Sequence, residues 1–305
     1  MQIISASRRT DIPAFFGEWF KNRIKEGFFY SVNPFNPRQI RETSLRPEDV
    51  ACIVFWTKNP RPFFPIINLL NQEQYFYYFQ YTLNNYPDFL EPGLPSLEEQ
   101  LSTFKRLNEI IGETGPDRVQ WRYDPIIISS RTPIDYHLGK IDYLAATLEG
   151  YTKRLTVSLL DFYKKISRRF HLLSEHENVK FYSTESLSDS DLTKLGLGLN
   201  KIAKDYNLEL YSCCDRYLAE YSVTPGSCID GELISSYTGI PFNEISRDCN
   251  QREYCLCSQS VDMGIYSTCK HFCSYCYAYG RQETVEKNLN SHYHINNSSL
   301  LDFRK

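Results

Sequence analysis

From residue 3 to residue 212 this chain alternates short apolar segments with amphipathic ones, and that rhythm most constrains its fold. Strands are expected at residues 3–6, 49–57, 75–83, 118–123, 155–160 and 208–212, with a last one at 261–267. The segment Asp49-Val-Ala-Cys-Ile-Val-Phe-Trp-Thr57 is apolar enough to be buried on both faces, as strands of parallel sheets are. Helical patterns fall between the strands. Asp11 or Thr10 can cap a helix whose stripe Phe15, Phe16, Trp19, Phe20 and Ile24 ends at Gly27. Ser96 and Glu99 have capping-box spacing ahead of Leu101, Phe104, Leu107, Ile110 and Ile111, with Gly112 as the stop. Further helices are expected at 63–70, 135–148 and 189–206. Such alternation predicts βαβ units with right-handed crossovers. The fold class is therefore α/β, a complete or partial parallel (β/α) barrel, with a doubly wound open sheet as the alternative. Residues 1–212 would form the main barrel, and 213–305 a cysteine-rich region that carries the last strand within the same domain.

Charge narrows the partners. Lys and Arg total 34 against 37 Asp and Glu, for a net charge of −3, so bulk charge does not hold this chain to DNA or to a membrane. No apolar run approaches transmembrane length, and the first residues lack the charged start and apolar core of a signal peptide. A cytoplasmic protein is expected, where thiols stay reduced and clustered cysteines bind metal more often than they pair.

Ligands of parallel α/β folds bind beyond the carboxyl ends of the strands. Those ends carry Ser7-Arg8-Arg9-Thr10-Asp11, Trp56-Thr57-Lys58-Asn59, Gln80-Tyr81-Thr82, Trp121-Arg122-Tyr123-Asp124, and Asp161. One such residue is readily a cap or a solvated charge, but five strand ends together point to a shared pocket. Arg8, Arg9, Lys58 and Arg122 would make it cationic, suited to carboxylate, phosphate or nucleotide groups.

Nine of the ten cysteines lie between Cys213 and Cys276, and only Cys52, in an apolar strand, stands apart as packing. The last three, in Cys269-Lys-His-Phe-Cys273-Ser-Tyr-Cys276, have the spacing C-x3-C-x2-C. Three thiolates this close can ligate three irons of a 4Fe–4S cube and leave the fourth without a protein ligand. A structural zinc site is the alternative, with His271 as the fourth ligand.

The spacing, with Tyr275 before the third cysteine, resembles that of the radical S-adenosylmethionine (SAM) superfamily. More of the chain resembles a bacterial and archaeal family known only as a domain of unknown function, with a radical-SAM-like cysteine cluster at its C-terminus. The matching stretches are Ser5-Ala-Ser-Arg-Arg-Thr-Asp-Ile-Pro13, Val54-Phe-Trp-Thr-Lys-Asn-Pro60, Trp121-Arg-Tyr-Asp-Pro125 and Tyr266-Ser-Thr-Cys-Lys-His-Phe-Cys-Ser-Tyr-Cys-Tyr-Ala278. The resemblance implies an enzyme whose cluster chelates SAM at its free iron and cleaves it reductively to a 5′-deoxyadenosyl radical. It implies a low-potential electron donor such as flavodoxin or ferredoxin. Ser5, Ser7, Arg8, Arg9, Asp11, Trp56 and Tyr275 would then serve the cofactor. Trp56, Lys58, Arg122, Asp124 and Asp161 would line the substrate side, with Arg8, Arg9, Asp11, Lys58, Arg122 and Asp124 as the catalytic set; the alternative is a non-enzymatic iron–sulfur or zinc protein for electron transfer or nucleic-acid binding. In the superfamily the motif follows the first barrel strand. Here it follows the last, so the barrel is expected to be circularly permuted, with 261–267 beside 3–6. Lys58 and Arg122-Tyr-Asp-Pro125 are similar to the spore photoproduct lyase branch, which implies a nucleotide or nucleic-acid substrate. A small molecule remains open.

Six cysteines precede the motif, and four could hold a second 4Fe–4S cluster. The expected set is Cys214, Cys228, Cys255 and Cys257, with Cys213 and Cys249 as substitutes. Adjacent Cys213 and Cys214 would point apart on a strand, so one of the two ligates. Zinc and buried free thiols are the alternatives. His292 and His294 lie in a polar tail and read as surface, and the aromatic residues of Phe76–Tyr81 read as a buried strand.

Overall fold

The computed structural model describes residues 1–302. Its ten strands are β1 (Gln2–Ala6), β2 (Phe28–Asn33), β3 (Asn36–Ser44), β4 (Val50–Thr57), β5 (Tyr77–Thr82), β6 (Val119–Ile126), β7 (Arg154–Leu159), β8 (Glu209–Cys213), β9 (Thr224–Gly226) and β10 (Val261–Asp262). Eight of them form one sheet in the order β10-β1-β4-β5-β6-β7-β8-β9, every pair parallel. This is an α/β fold with a large parallel sheet, consistent with a partial parallel barrel. The last strand lies beside the first, with Ile4 opposite Val261 and Ser5 opposite Asp262. It is shorter than the sequence pattern suggested, because Gly264 and the turns beyond it leave the sheet before Ser267.

The two faces of the sheet differ, as the period of two along each strand requires. One face carries Ile4, Ile53, Phe55, Tyr77, Phe79, Trp121 and Leu155, and packs with the helices into the main core. Among those helices, Leu97–Ile111 begins with the expected capping box, in which Ser96 and Glu99 bond reciprocally to each other's backbone. The opposite face starts at the amino ends with Ile3, Cys52, Val54 and Tyr78, packed against Cys228, Ile229, Cys255 and Cys257. Toward the carboxyl ends the same face turns polar, with Trp56 opposite Gln80 and Arg122 opposite Thr156. Apolar residues anchor this face, and polar residues gather where the strands end.

Several elements depart from the sequence pattern. β2 and β3 form a separate antiparallel hairpin, and β9 adds an eighth strand to the sheet. The helices Lys164–Glu177, Gly231–Thr238 and Gln282–His292 were not anticipated. The tail is not surface throughout. Asn297, Ser299 and Leu300 are buried, and the Trp19 indole donates to the Asn297 carbonyl at 2.8 Å. His294 is exposed, whereas His292 lies against the Asp302 carbonyl at 3.1 Å.

Candidate metal centre

The loop Cys269–Cys276 sits at the carboxyl ends of the strands, fixed there by contacts from several elements. Asp11 caps the short helix Ile12–Phe15 through the Ala14 N–H, accepts the Lys58 N–H at 2.8 Å, and faces His271 Nε2 at 2.9 Å. The other ring nitrogen of His271 lies 3.1 Å from the Gly93 carbonyl. Gly93 is required at that contact, since a Cβ would stand 2.6 Å from the His271 carbonyl oxygen. Arg169 reaches in from the helix Lys164–Glu177 and donates to the carbonyls of Ser274, Cys276 and Tyr279 at 2.7, 3.1 and 3.0 Å. Ser274 Oγ donates to the Phe89 carbonyl at 2.7 Å.

Within this frame Cys273 is buried, and Cys269 and Cys276 are half-buried. Burial pushes all three thiols up, Cys273 to about 12 against the pull of Lys58. Ligation of a metal by these thiols would release protons. The donor set suits an iron–sulfur cube with one open iron. Both ring nitrogens of His271 already have partners, the Gly93 carbonyl and the Asp11 carboxylate, so the ring is engaged away from the thiols. Among the described residues, no three of His, Cys, Asp and Glu converge as ligands of a single ion.

Beside Cys273 lies a buried ion pair. Lys58 Nζ is 2.8 Å from Glu91 Oε1, which also accepts from Asn84 at 3.1 Å and from the Tyr275 hydroxyl. Burial opposes the Lys58 charge, but Glu91, Cys273 and Asp124 outweigh it and raise its pKa. Burial likewise opposes the Glu91 carboxylate, and Lys58 more than compensates. Asn84 accepts the Asp124 N–H at 2.9 Å, so this group is joined to the end of β6.

The end of β6 leads to the second group of cysteines. Arg122 pairs with Asp124 through one nitrogen and through the other donates to Cys228 Sγ at 2.7 Å and Gln80 at 3.2 Å. Burial weighs against the guanidinium, yet Cys228, Asp124 and Cys213 hold its pKa well above the ordinary value. Asp124 also accepts from Ser158. The guanidiniums of Arg122 and Arg8 lie 5.2 and 5.4 Å from the Trp56 ring centre. Arg8 Nη2 and Trp56 Nε1 are buried without a hydrogen-bond partner, so both are available to a ligand.

Cys213, the expected substitute for Cys214, ends β8 beside Cys228. Its sulfur is 2.9 Å from Cys228 Sγ. The Cys228 hydrogen bond and Arg122 pull the Cys213 thiol down, to about 7, against burial. Cys214 has a left-handed backbone, φ 52°, and burial pushes its thiol up, with Cys213, Asp161 and Cys257 adding to the rise and Arg252 opposing it. Cys249 is exposed. Asp161 is exposed as well and pairs with Arg252 rather than lining the interior.

Ser5 and Ser7 join the first strand to the last. Their hydroxyls donate to Asp262 at 2.9 and 2.6 Å, and the Arg8 N–H donates to the same carboxylate at 2.9 Å. These bonds fasten the last strand to the first. Gly264 allows the approach, because its Cβ would fall 2.1 Å from Ser7 Oγ. Arg9 donates to the Gly264 carbonyl at 3.3 Å and stands over Tyr266. Glu91, Asn84, Asp262 and Arg169 carry no sequence signal of their own. Glu91 and Asn84 fall in an irregular, proline-rich stretch, and Arg169 in a charged helix.

Fold and site together define an α/β protein whose parallel sheet carries one cysteine loop at its polar carboxyl end and a second group of cysteines packed on the face below it. Residues 3–278 match the model of the domain of unknown function DUF1848, and the chain belongs to that family. No curated protein and no solved structure matches the chain. No described helix is long and apolar enough to cross a membrane.

Proposed function

We propose that this protein is a radical SAM enzyme, in which Cys269, Cys273 and Cys276 hold a 4Fe–4S cluster. The observation that supports the reading best is the placement of the three-cysteine loop at the carboxyl ends of the strands, with both ring nitrogens of His271 held by Asp11 and Gly93. The strand before the loop lies beside β1, as a circularly permuted barrel of this type requires. When bound, the cluster supplies the electron that cleaves SAM to methionine and a 5′-deoxyadenosyl radical.

The chain's own residues orient and shield. Asp11 and Arg169 hold the loop in register, and Lys58 places a buried positive charge beside Cys273. Arg8, Trp56, Arg122 and Asp124 present an aromatic face, unpaired donors and a carboxylate on the interior side. That combination suits a flat, polar or anionic group, such as the adenosyl moiety or a nucleotide-like substrate. Ser5 and Ser7 serve indirectly, by positioning Arg8 through Asp262.

The test is anaerobic reconstitution with iron and sulfide, followed by dithionite and SAM. A flavodoxin or ferredoxin should replace dithionite as the donor. The proposal expects 5′-deoxyadenosine or methionine from the native chain and none from Cys273→Ala. Iron bound at the loop without SAM binding or cleavage overturns it.

A further inference from the structure

We propose that Cys213, Cys228, Cys255 and Cys257 hold a second iron–sulfur cluster, independent of the Cys269–Cys276 loop. The topology brings these residues together from three separate segments. Cys213 ends β8, and its backbone partner in the neighbouring strand is Gly226, two residues before Cys228. The two sulfurs therefore meet at 2.9 Å. The segment 247–258 then folds back on Cys228–Asp230, with the Ser258 N–H donating to the Ile229 carbonyl at 3.0 Å. That pairing puts Cys257 Sγ against the Ile229 N–H at 3.5 Å and against the thiols of both Cys228 and Cys255. Arg247 fastens the Cys-x-Cys turn through the Cys255 carbonyl, at 2.7 and 3.0 Å.

Chemistry favours ligation over storage of free thiols. A thiol is a weak hydrogen-bond donor, so four meeting below a polar site repay little of the ordering they require. The surroundings instead match a group that carries negative charge. Arg122 Nη1 donates to Cys228 Sγ at 2.7 Å, and the field of Arg8 falls on Cys257, Cys228 and Cys255. Four thiolates carry more negative charge than an iron–sulfur core returns, and two guanidiniums offset the excess. The sulfurs run as a chain, Cys213 to Cys228 to Cys257 to Cys255, rather than around one point. Four cysteine thiolates are the ligand set of a 4Fe–4S core, and a single bound zinc is the competing outcome that the test separates from it.

The test uses the full chain carrying Cys269→Ala, Cys273→Ala and Cys276→Ala, reconstituted anaerobically with ferrous iron and sulfide. About four irons and four sulfides per chain are expected, with visible absorption that dithionite bleaches. Adding Cys214→Ala and Cys249→Ala leaves that content unchanged, and adding Cys228→Ala and Cys257→Ala removes it. Because the latter chain can fail to fold, Cys228→Ser alone is read by electron paramagnetic resonance, where an oxygen ligand shifts the reduced-cluster spectrum. No iron in the triple variant, a single bound zinc, a Cys213–Cys228 disulfide in its place, or an unshifted spectrum overturns the proposal. Each result is independent of SAM cleavage, since the triple variant lacks the loop thiols.

Discussion

His271 and Asp11, 260 residues apart in the chain, meet at 2.9 Å and lock the cysteine loop to the end of the first strand. Asp11 serves the Ala14 cap, the Lys58 N–H and His271 at once, and is itself buried. Asp11→Ala removes the acceptor of the part-buried Ala14 and Lys58 N–H groups and the partner of the buried His271 ring. The expected cost is about 3 kcal/mol in urea unfolding, together with loss of iron from the reconstituted loop. Unchanged stability and full iron in this variant would mean that the loop is held by other contacts.

The Lys58–Glu91 pair predicts an asymmetric response. Glu91→Ala leaves a buried ammonium uncompensated, at an expected cost of about 3–5 kcal/mol. Replacing both residues with methionine removes both charges and should cost clearly less. Equilibrium denaturation of the two single variants and the double variant measures the coupling. Strict additivity would show that the 2.8 Å contact contributes nothing of its own.

His137 gives the fold an acid sensitivity unconnected with metal. It is fully buried, with Tyr123 Oη at 2.9 Å from Nδ1 and the Ile127 carbonyl at 3.0 Å from Nε2. Burial lowers its pKa from 6.5 to about 4, and the carbonyl contacts only partly resist. The unfolded chain takes up this proton first. Stability is therefore intact above about 6.5 and erodes as pH falls toward 4, by about 3 kcal/mol. His137→Gln should flatten that part of the stability–pH curve. An unaltered slope would show that other groups produce it.

Much of the fold was legible because it depends on local pattern. Segments such as Val50–Thr57 are continuous apolar runs, and the Ser96–Glu99 box marks its helix without tertiary help. The hairpin Phe28–Ser44 was missed because its outer strand is largely exposed and polar. The helix Lys164–Glu177 was missed because its charges obscure the apolar stripe. At the site, the loop cysteines were legible from their spacing. Their supports were not, since Glu91 meets Tyr275 across 184 residues and Ser7 meets Asp262 across 255. That Cys213 rather than Cys214 ends β8 was not legible, because the boundary of a strand is not fixed by composition.

The most direct measurement is product analysis of the reconstituted native chain, reduced anaerobically in the presence of SAM. Chromatography should reveal 5′-deoxyadenosine or methionine in amounts that disappear with Cys273→Ala. A chain that carries iron and sulfide on the loop, is reduced by dithionite, and yet neither binds SAM nor cleaves it would contradict the proposed function.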